Sequence, residues 1–498
     1  MSSYTQILKS SSLIGGAQGI NLLLGMVRVK FAAVLIGPVG VGLAGNYQAI
    51  QGVVGTIAGL GIQASGVREV AEAVGTGDQQ AMGRAILTLR RMCWLTGLLG
   101  MLAMVALSPL LSQWTFGSND HAVEIALLGI IILLGNLSGG QMALIQGMRR
   151  IGDLARLQVI SAVAGTVIAI GCYTGFGLRG IVPALLLMAV VQLAASWYFA
   201  RRVPAPTVAM SWWESFRTAG GLVRLGLVFM WNGLIGSLVA YLTVTLITQQ
   251  ISLEAVGIYS AAFALSGMFV GFVLNAMGAD YYPRLTAVAS DQAAVNRLVN
   301  EQTEIGLLLA VPGLLATLAL APWIIRIFYT GAFLPAADLL QWFILGCLGR
   351  VVSWPLGFVM LALGKGQWFF VTETLFNAVH LALIAVGLVA VGIEGVALAF
   401  FILYLGYTAA VYGVGRHLTG FRWSLASQKL LLVLLPIIAV AFIAARLLPL
   451  WPATGFGIVA TGVASVLCLR GLVQRIGPDH RIVHAACRVP GMQWACGL

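Results

Sequence analysis

The sequence predicts an all-α polytopic membrane protein whose first twelve spans form two six-helix lobes. Three observations predict this fold class: the composition, the length of the apolar stretches, and a motif repeat that relates the two halves. Of the 498 residues, 60% are hydrophobic and 9% are charged, and the mean hydropathy is +0.96. Soluble domains usually carry about 25% charged residues. The composition therefore excludes a soluble globular protein and favours a chain that crosses a membrane many times.

Apolar stretches of about 20 residues, the length of a transmembrane helix, recur along the sequence. Six of them make up a first half, near residues 13–35, 40–64, 86–110, 121–147, 157–176 and 180–200. Six more make up a second half, near residues 221–248, 254–278, 303–327, 337–362, 367–390 and 393–414. Two shorter candidates, near residues 429–447 and 453–470, bring the total to fourteen, and without them the total is twelve.

The polar segments between these stretches divide the chain into five parts. The predicted parts are an N-terminal six-helix lobe (1–203), a cytoplasmic linker (204–220), a C-terminal six-helix lobe (221–415), an extra helix pair (416–473) and a cytoplasmic tail (474–498). The linker is placed there because this segment is more polar than its neighbours and contains Pro204 and Pro206.

The distribution of basic residues predicts the orientation of the chain. Cytoplasmic loops of membrane proteins carry an excess of Lys and Arg. Nearly all of the 28 Lys and Arg residues lie in alternate loops, and the loops between them carry only Arg179, Arg326 and Arg446. Both termini are therefore expected in the cytoplasm. The first ten residues lack a basic region, so the first apolar stretch is expected to remain as a helix and not to be cleaved as a signal peptide.

The net charge of +12 is explained by this topology. The basic residues form no cluster with interleaved aromatic residues, so a nucleic-acid partner is not expected. The six cysteines lack the paired spacing of a disulfide framework or a zinc site. One alternative for the tail is a metal site made by His480, His484, Cys487 and Cys496; the simpler interpretation is a cytoplasmic tail with incidental thiols.

Matching segments in the two halves predict an internal repeat. Val39-Gly40-Val41-Gly42-Leu43 matches Glu254-Ala255-Val256-Gly257-Ile258 at an offset of 215 residues (254 − 39). At the same offset, Gly177-Leu178-Arg179-Gly180 matches Gly392-Ile393-Glu394-Gly395, and Ile7-Leu8-Lys9 matches Leu222-Val223-Arg224. Because each half has an even number of spans, both halves enter the membrane the same way up. This arrangement is a parallel repeat, and such transporters bind their substrate between the lobes.

Three groups of residues resemble the motifs of a known family. They are the loop Gly37-Pro38-Val39-Gly40-Val41-Gly42-Leu43-Ala44 followed by Asn46 and Gln48, the segments Gly61-Ile62 and Ser65-Gly66-Val67, and Tyr282-Pro283-Arg284. Together they resemble the bacterial O-antigen and enterobacterial common antigen flippases of the multidrug, oligosaccharidyl-lipid and polysaccharide exporter superfamily. The resemblance covers roughly residues 1–415.

The resemblance implies two lobes around a central cavity in a multi-pass protein of the bacterial inner membrane. It implies transport without a chemical step: an undecaprenyl-pyrophosphate-linked oligosaccharide is moved from the cytoplasmic to the periplasmic leaflet by alternating access. The implied partners are this glycolipid, the membrane lipids, and a polysaccharide polymerase with its chain-length regulator. No cofactor is implied beyond coupling of transport to H⁺ or Na⁺.

Basic residues inside the first span are candidates for holding the pyrophosphate. Asn21 and Arg28 are seven residues apart, so they lie on nearly the same face of a helix, with Gly25 beside them. A guanidinium can bind a phosphate through two parallel hydrogen bonds. The alternative for Arg28 is an ion pair with an acidic neighbour. Lys30 points roughly the other way, and the alternative for it is to reach the periplasmic surface.

Arg350 lies near the middle of the tenth span, where it needs a partner. In the eleventh span, Glu373, Asn377 and His380 form one polar stripe on an apolar helix. One interpretation is a structural ion pair between Arg350 and Glu373. The other interpretation is a proton or cation site at Glu373 or His380, together with Asn377. Occupancy of this site would bias the equilibrium between the inward and outward states.

Lys9 and Arg224 occupy equivalent repeat positions at the cytoplasmic starts of the first and seventh spans. They are candidates for attracting phosphate at the mouth of the cavity. Ordinary anchoring of helix ends by basic residues explains them equally well.

Three alternatives differ from this function in cargo or in class. The same fold could carry the peptidoglycan lipid precursor, which has the same pyrophosphate, or a drug-like organic cation, for which Arg28 and Arg350 have the wrong charge. A membrane-embedded enzyme of polysaccharide assembly is the alternative from another class. It is disfavoured because the non-cytoplasmic loops are short, as at 108–122, and contain no acidic pair or Ser/His/Asp set.

Overall fold

The computed structural model of the protein describes residues 3–204, 206 and 208–476. Side chains are described from residue 16 onward, apart from those of Asn232, Phe272, Ala276, Ala279 and Ile476. The described residues form α-helices joined by short turns, and they contain no β-strand, which confirms the all-α class. The helices are α1 (Ser3–Leu35), α2 (Gly37–Gly59), α3 (Ile62–Thr76), α4 (Gln79–Phe116), α5 (Ala122–Gly147), α6 (Ile151–Phe176), α7 (Ile181–Ala200), α8 (Trp212–Gln250), α9 (Leu253–Ala287), α10 (Gln292–Ala319), α11 (Ala321–Phe328), α12 (Ala336–Ala362), α13 (Gly366–Val391), α14 (Glu394–Thr419), α15 (Leu425–Leu447) and α16 (Leu450–Ile476).

The predicted linker 204–220 is partly helical. Ser211 caps α8: its side chain accepts a hydrogen bond from the Glu214 backbone N–H, and the Glu214 carboxylate accepts one from the Ser211 N–H. This reciprocal pair satisfies two of the backbone donors that a helix start leaves without partners. The helix therefore begins at Trp212, and the predicted seventh span 221–248 lies inside it.

The predicted second span 40–64 is interrupted. Leu60 and Gly61 have φ values of +46° and +63°, and the axes of α2 and α3 differ by 42° across them. A Cβ on Gly61 would lie 2.1 Å from the carbonyl oxygen of Gly226, so only glycine permits this approach of α8. The sequence pattern misses the break because the apolar residues continue across it.

Twelve stretches of the described chain are long and apolar enough to cross a membrane, and the bent pair α2–α3 would make a thirteenth. One of the twelve, Ile151–Ala200, contains both α6 and α7, which pack against each other on either side of a short turn at Gly177–Gly180. As one helix its 50 residues would extend about 75 Å, more than twice the roughly 30 Å hydrocarbon core. This stretch is therefore counted as two spans, which makes fourteen candidate spans among the described residues, the larger of the two totals expected from the sequence.

Packing divides the chain into two compact units. The first unit is Met1–Gly257 with Phe328–Thr330, and the second is Ile258–Ile327 with Gly331–Leu498. The division falls inside α9, and α8 packs on α2, α3 and α4 within the first unit. The lobe boundaries derived from the polar segments of the sequence stay a prediction.

Each unit has its own apolar core. In the first unit, one cluster is built around Tyr47, Met104 and Leu128, and a second is built around Leu89 and Ile145. In the second unit, a cluster at the ends of α9, α10, α12 and α14 includes the fully buried Tyr281 and Phe421, and the Tyr281 hydroxyl donates to the carbonyl oxygen of Pro355 (2.9 Å).

A reciprocal contact within the first unit supports the predicted repeat. A Cβ on Gly42 would lie 1.9 Å from the carbonyl oxygen of Leu253, and a Cβ on Gly257 would lie 2.0 Å from the carbonyl oxygen of Pro38. Both Gly257 and Leu253 are 215 residues beyond their counterparts (257 − 42 and 253 − 38). A contact that is the same in both directions is what a two-fold relation produces.

In the second unit, the extra pair α15–α16 is held on α10 by a buried carboxylate. Glu304 is 8% exposed, and its Oε1 accepts hydrogen bonds from the hydroxyls of Ser424 and Ser427, both at 2.8 Å. Its Oε2 accepts from Nε of Arg475 at 2.7 Å. Because a buried charge is costly unless it is paired and hydrogen-bonded, this network specifies where the pair docks.

Candidate functional site

Arg28 lies in the first unit, where its guanidinium has no carboxylate partner. It is an exposed residue of α1, and its Nη1 donates to Sδ of Met188 on α7 at 3.8 Å. The ion pairs of the described residues involve neither Arg28 nor Arg350. The ion pair considered for Arg28 is therefore not formed among the described residues. Most of the hydrogen-bond donors of the guanidinium stay available for a ligand.

The polar stripe predicted around Arg28 has open space beside it. No atom lies within 4 Å of the position that a Cβ on Gly25 would take. The Oδ1 atom of Asn21 is buried and has no hydrogen-bond partner among the described residues. An unsatisfied buried acceptor is costly in a native protein, which is consistent with a ligand or a second conformation that satisfies it.

The other basic candidates of the first unit have different surroundings. Lys30 donates a hydrogen bond from Nζ to the carbonyl oxygen of Tyr329, so its ammonium has a protein partner. Arg224 is exposed on α8. Lys9 belongs to α1, but its side chain lies outside the described residues, as do His480, His484, Cys487 and Cys496. The roles predicted for Lys30, Arg224 and Lys9 stay predictions.

The second unit contains a cavity that brings the other candidates together. Arg350, Glu373, Asn377 and His380 all line a space of about 330 Å³ between α12, α13 and α14. The hydroxyl of Tyr407 donates to Oε1 of Glu373 at 2.6 Å. The amide of Asn377 donates to the Glu373 carbonyl oxygen at 2.8 Å. The cavity thus joins a cation, a carboxylate, an imidazole and an amide in one place.

The ion pair considered between Arg350 and Glu373 is not formed in this structure. The two side chains line the same cavity, but the described ion pairs do not include them. The partner that the Glu373 carboxylate has instead is the hydroxyl of Tyr407, on α14. Sequence reasoning missed Tyr407, because it lies on a different helix and a tyrosine among apolar residues carries no distinctive signal.

A larger cavity in the first unit was not predicted. It has a volume of about 710 Å³ and is formed by α2, α3, α4, α5 and α8. The polar side chains that line it are those of Gln51, Thr56, Gln63, Thr96, Asn136 and Gln146, and no charged side chain lines it. Amides inside predicted spans were the available signal, but the only amides considered there as site residues were Asn21 and Asn377, which share a helix face with charged residues.

Comparison with known proteins places this geometry in a familiar fold. The chain is similar to solved structures of a multidrug resistance MATE family transporter of the MOP superfamily in an inward-facing conformation (15% identity, TM-score 0.66, covering 82% of this chain and 96% of that one). It is also similar to the lipid II flippase MurJ in an inward closed conformation (15% identity, TM-score 0.70, covering 93% and 99%). The chain therefore shares the fold of these two transporters.

Curated relatives and a family model extend the comparison to sequence. The Lipid III flippases of Escherichia coli (strain K12) and of Shigella flexneri are each 24% identical to the chain over 420 residues, which is 82% of this chain and 98% of each relative. The family model described as polysaccharide biosynthesis protein matches residues 70–338, more than half of the chain. The chain therefore belongs to the polysaccharide biosynthesis protein family.

Proposed function

We propose that this protein is a flippase that moves a lipid-linked oligosaccharide across the bacterial inner membrane by alternating access. The observation that carries the proposal is the nearly complete alignment with proteins named Lipid III flippase, which covers 98% of their length. The fold and the many candidate spans agree with transport through a multi-pass membrane protein. The cargo is an undecaprenyl-pyrophosphate-linked glycan, which the protein moves without making or breaking a covalent bond.

The geometry supports an anionic head group. Arg28 offers a guanidinium without a carboxylate partner, and the nearby Asn21 amide has an unsatisfied oxygen. A pyrophosphate that leaves water loses its hydration, and a guanidinium replaces part of it with charge-assisted hydrogen bonds. Arg350 gives the second unit a cation of the same kind.

We also propose that the cavity of the second unit couples transport to a proton or a sodium ion. Glu373 supplies the carboxylate, and His380 and Asn377 lie beside it in the same cavity. An ion that binds one conformation better than the other shifts the population toward that conformation. The hydrogen bond from Tyr407 to Glu373 is the contact that a bound proton or sodium ion would change.

The transport proposal is tested with purified protein in lipid vesicles. A fluorescent undecaprenyl-pyrophosphate-linked oligosaccharide is placed in one leaflet, and its appearance in the other leaflet is measured over time. Movement that depends on the protein, with the glycolipid chemically unchanged, is the expected result. Preferential movement of the peptidoglycan precursor or of an organic cation would assign the cargo to those classes. Formation of a new glycan bond without movement would establish an assembly enzyme instead.

The coupling proposal uses the same vesicles with an imposed proton or sodium gradient. We expect the gradient to accelerate the wild type and to have no effect on Glu373→Gln, which cannot change its charge. Glu72→Gln is the matched control, because Glu72 is an exposed carboxylate that pairs with the exposed Arg68. A Glu373→Gln variant that still responds to the gradient contradicts the assignment.

A further inference from the structure

The amide-lined cavity of the first unit has the chemistry of a neutral polar site. Its volume of about 710 Å³ is roughly twice that of the cavity that contains Arg350. Pockets that enclose small organic ligands measure about 300–1,000 Å³. Four primary amides and two hydroxyls line the cavity without any charged side chain, and Phe229 adds an aromatic ring. A ligand held here would be uncharged, rich in hydrogen-bonding groups and partly apolar.

Glycines make room for such a ligand between the helices. Gly52, Gly55 and Gly59 line the cavity from α2, and Gly139 lines it from α5. A Cβ on Gly59 would lie 3.3 Å from Oδ1 of Asn136, and the nearest atom to a Cβ on Gly55 would be 4.0 Å away. A larger side chain at Gly55 would therefore enter the cavity without first meeting the backbone of a neighbouring helix.

One amide of the cavity has an unsatisfied hydrogen-bond donor. The Nδ2 atom of Asn136 is buried and has no partner among the described residues. Leaving such a donor without a partner disfavours the folded state. Asn136 lies in the middle of α5, a transmembrane helix, where lipid offers no hydrogen bond in exchange. A ligand that supplies an acceptor would remove this cost.

The cavity extends from the basic side of the membrane toward its middle. Val67 and Gln146 line it, and they lie next to Arg68 and to the basic turn at Arg149. From Gln146 to Asn136, α5 rises about 15 Å, which is about half of the hydrocarbon core. The basic loops are predicted to be cytoplasmic, so a ligand made in the cytoplasm would meet this cavity first.

We infer that this cavity binds uncharged sugar residues of the cargo, of the hexose or N-acetylhexosamine class. Amides and hydroxyls donate to and accept from sugar hydroxyls and acetamido groups, and the Phe229 ring offers an apolar face to a pyranose ring. The inference rests on the proposed transport of a lipid-linked glycan. It separates two tasks within the first unit: Arg28 holds the pyrophosphate, and the amide-lined cavity recognises the glycan.

Two lipid probes separate glycan binding from pyrophosphate binding. The probes are undecaprenyl pyrophosphate alone and the same lipid carrying an N-acetylhexosamine disaccharide, and the measurement is the dissociation constant with purified protein in detergent. The variants Gln63→Ala and Asn136→Ala remove amides, and Gly55→Leu fills the cavity. Matched controls are Gln113→Ala, at an exposed position on α4, and Gly135→Leu, where no atom lies within 4 Å of the added Cβ.

We expect the wild type and both controls to bind the glycolipid at least about tenfold more tightly than the bare lipid, as one or two added hydrogen bonds allow. The three cavity variants should lose this preference and keep wild-type affinity for the bare lipid, which also verifies their folding. The inference alone is overturned if they keep the preference, or if they lose affinity for both lipids equally. If the wild type binds neither lipid, the proposed function fails as well.

Discussion

At the scale of single residues, the sequence identified which charges lie in the membrane but not what each of them contacts. Asn21 and Arg28 share a helix face because of their spacing, and the structure places open space beside Gly25 on that face. The partner of Glu373 was different from the one considered, because the contact comes from Tyr407 on another helix. Spacing along one helix is a local property, whereas a partner on a second helix depends on tertiary packing.

Replacing the intramembrane arginines should block display of the surface polysaccharide. Hydrogen bonds to charged groups contribute about 1.5–3 kcal/mol, or about ten- to a hundredfold in affinity. Arg28→Ala and Arg350→Ala are therefore expected to reduce display by at least about tenfold while the protein remains in the membrane. The measurement is the polysaccharide ladder on a gel, together with the amount of protein in the membrane fraction.

Two further variants complete this test: a conservative substitution of Arg28, and a substitution of an exposed arginine outside the candidate site. Arg28→Lys keeps the charge but loses the bidentate geometry, so it should recover only part of the display. Arg68→Ala removes an exposed arginine whose side chain is 64% exposed, and it should leave the ladder normal. Normal ladders from both Arg28→Ala and Arg350→Ala would show that neither guanidinium holds the cargo.

At the scale of helices, the repeat predicted equivalent positions but not that they touch. Gly42 and Gly257 match in sequence, and in the structure each lies against the backbone of the other's helix. The absence of a Cβ at both positions allows α2 and the start of α9 to approach closely, as small residues do in other membrane helix pairs. The break between α2 and α3 was missed for a related reason: the backbone that approaches Gly61 is that of Gly226 on α8, which is far away in the sequence.

Adding a side chain at Gly42 should destabilise the protein. A Cβ there would lie 1.9 Å from the carbonyl oxygen of Leu253, so the helices must separate. Overpacking of this kind costs about 1–3 kcal/mol. We expect Gly42→Val to lower the midpoint of thermal unfolding in detergent. Gly171→Val, on α6, is the control, since no atom lies within 4 Å of its added Cβ, and equal midpoints for the two variants would contradict the importance of this contact.

At the scale of the whole molecule, the distribution of basic residues predicts which loops face the cytoplasm. The prediction is tested with single cysteines at two exposed positions in a cysteine-free background: Thr76, the last residue of α3, and Asn119, between α4 and α5. In intact cells, a membrane-impermeant maleimide should label Asn119→Cys at once and Thr76→Cys only after permeabilisation. The opposite pattern would reverse the orientation and place the amide-lined cavity on the periplasmic side.

The class of the protein, its repeat and most of its spans were predictable from the sequence. These properties depend on composition, on helix length against bilayer thickness, and on local motifs, all of which are readable along one chain. Three features were visible only in the folded chain: the hydrogen bond between Tyr407 and Glu373, the anchoring of α15 and α16 by Glu304, and the four amides that line one cavity. Gln51 and Asn136 are 85 residues apart (136 − 51), and only the packing of α2 on α5 brings such distant amides together.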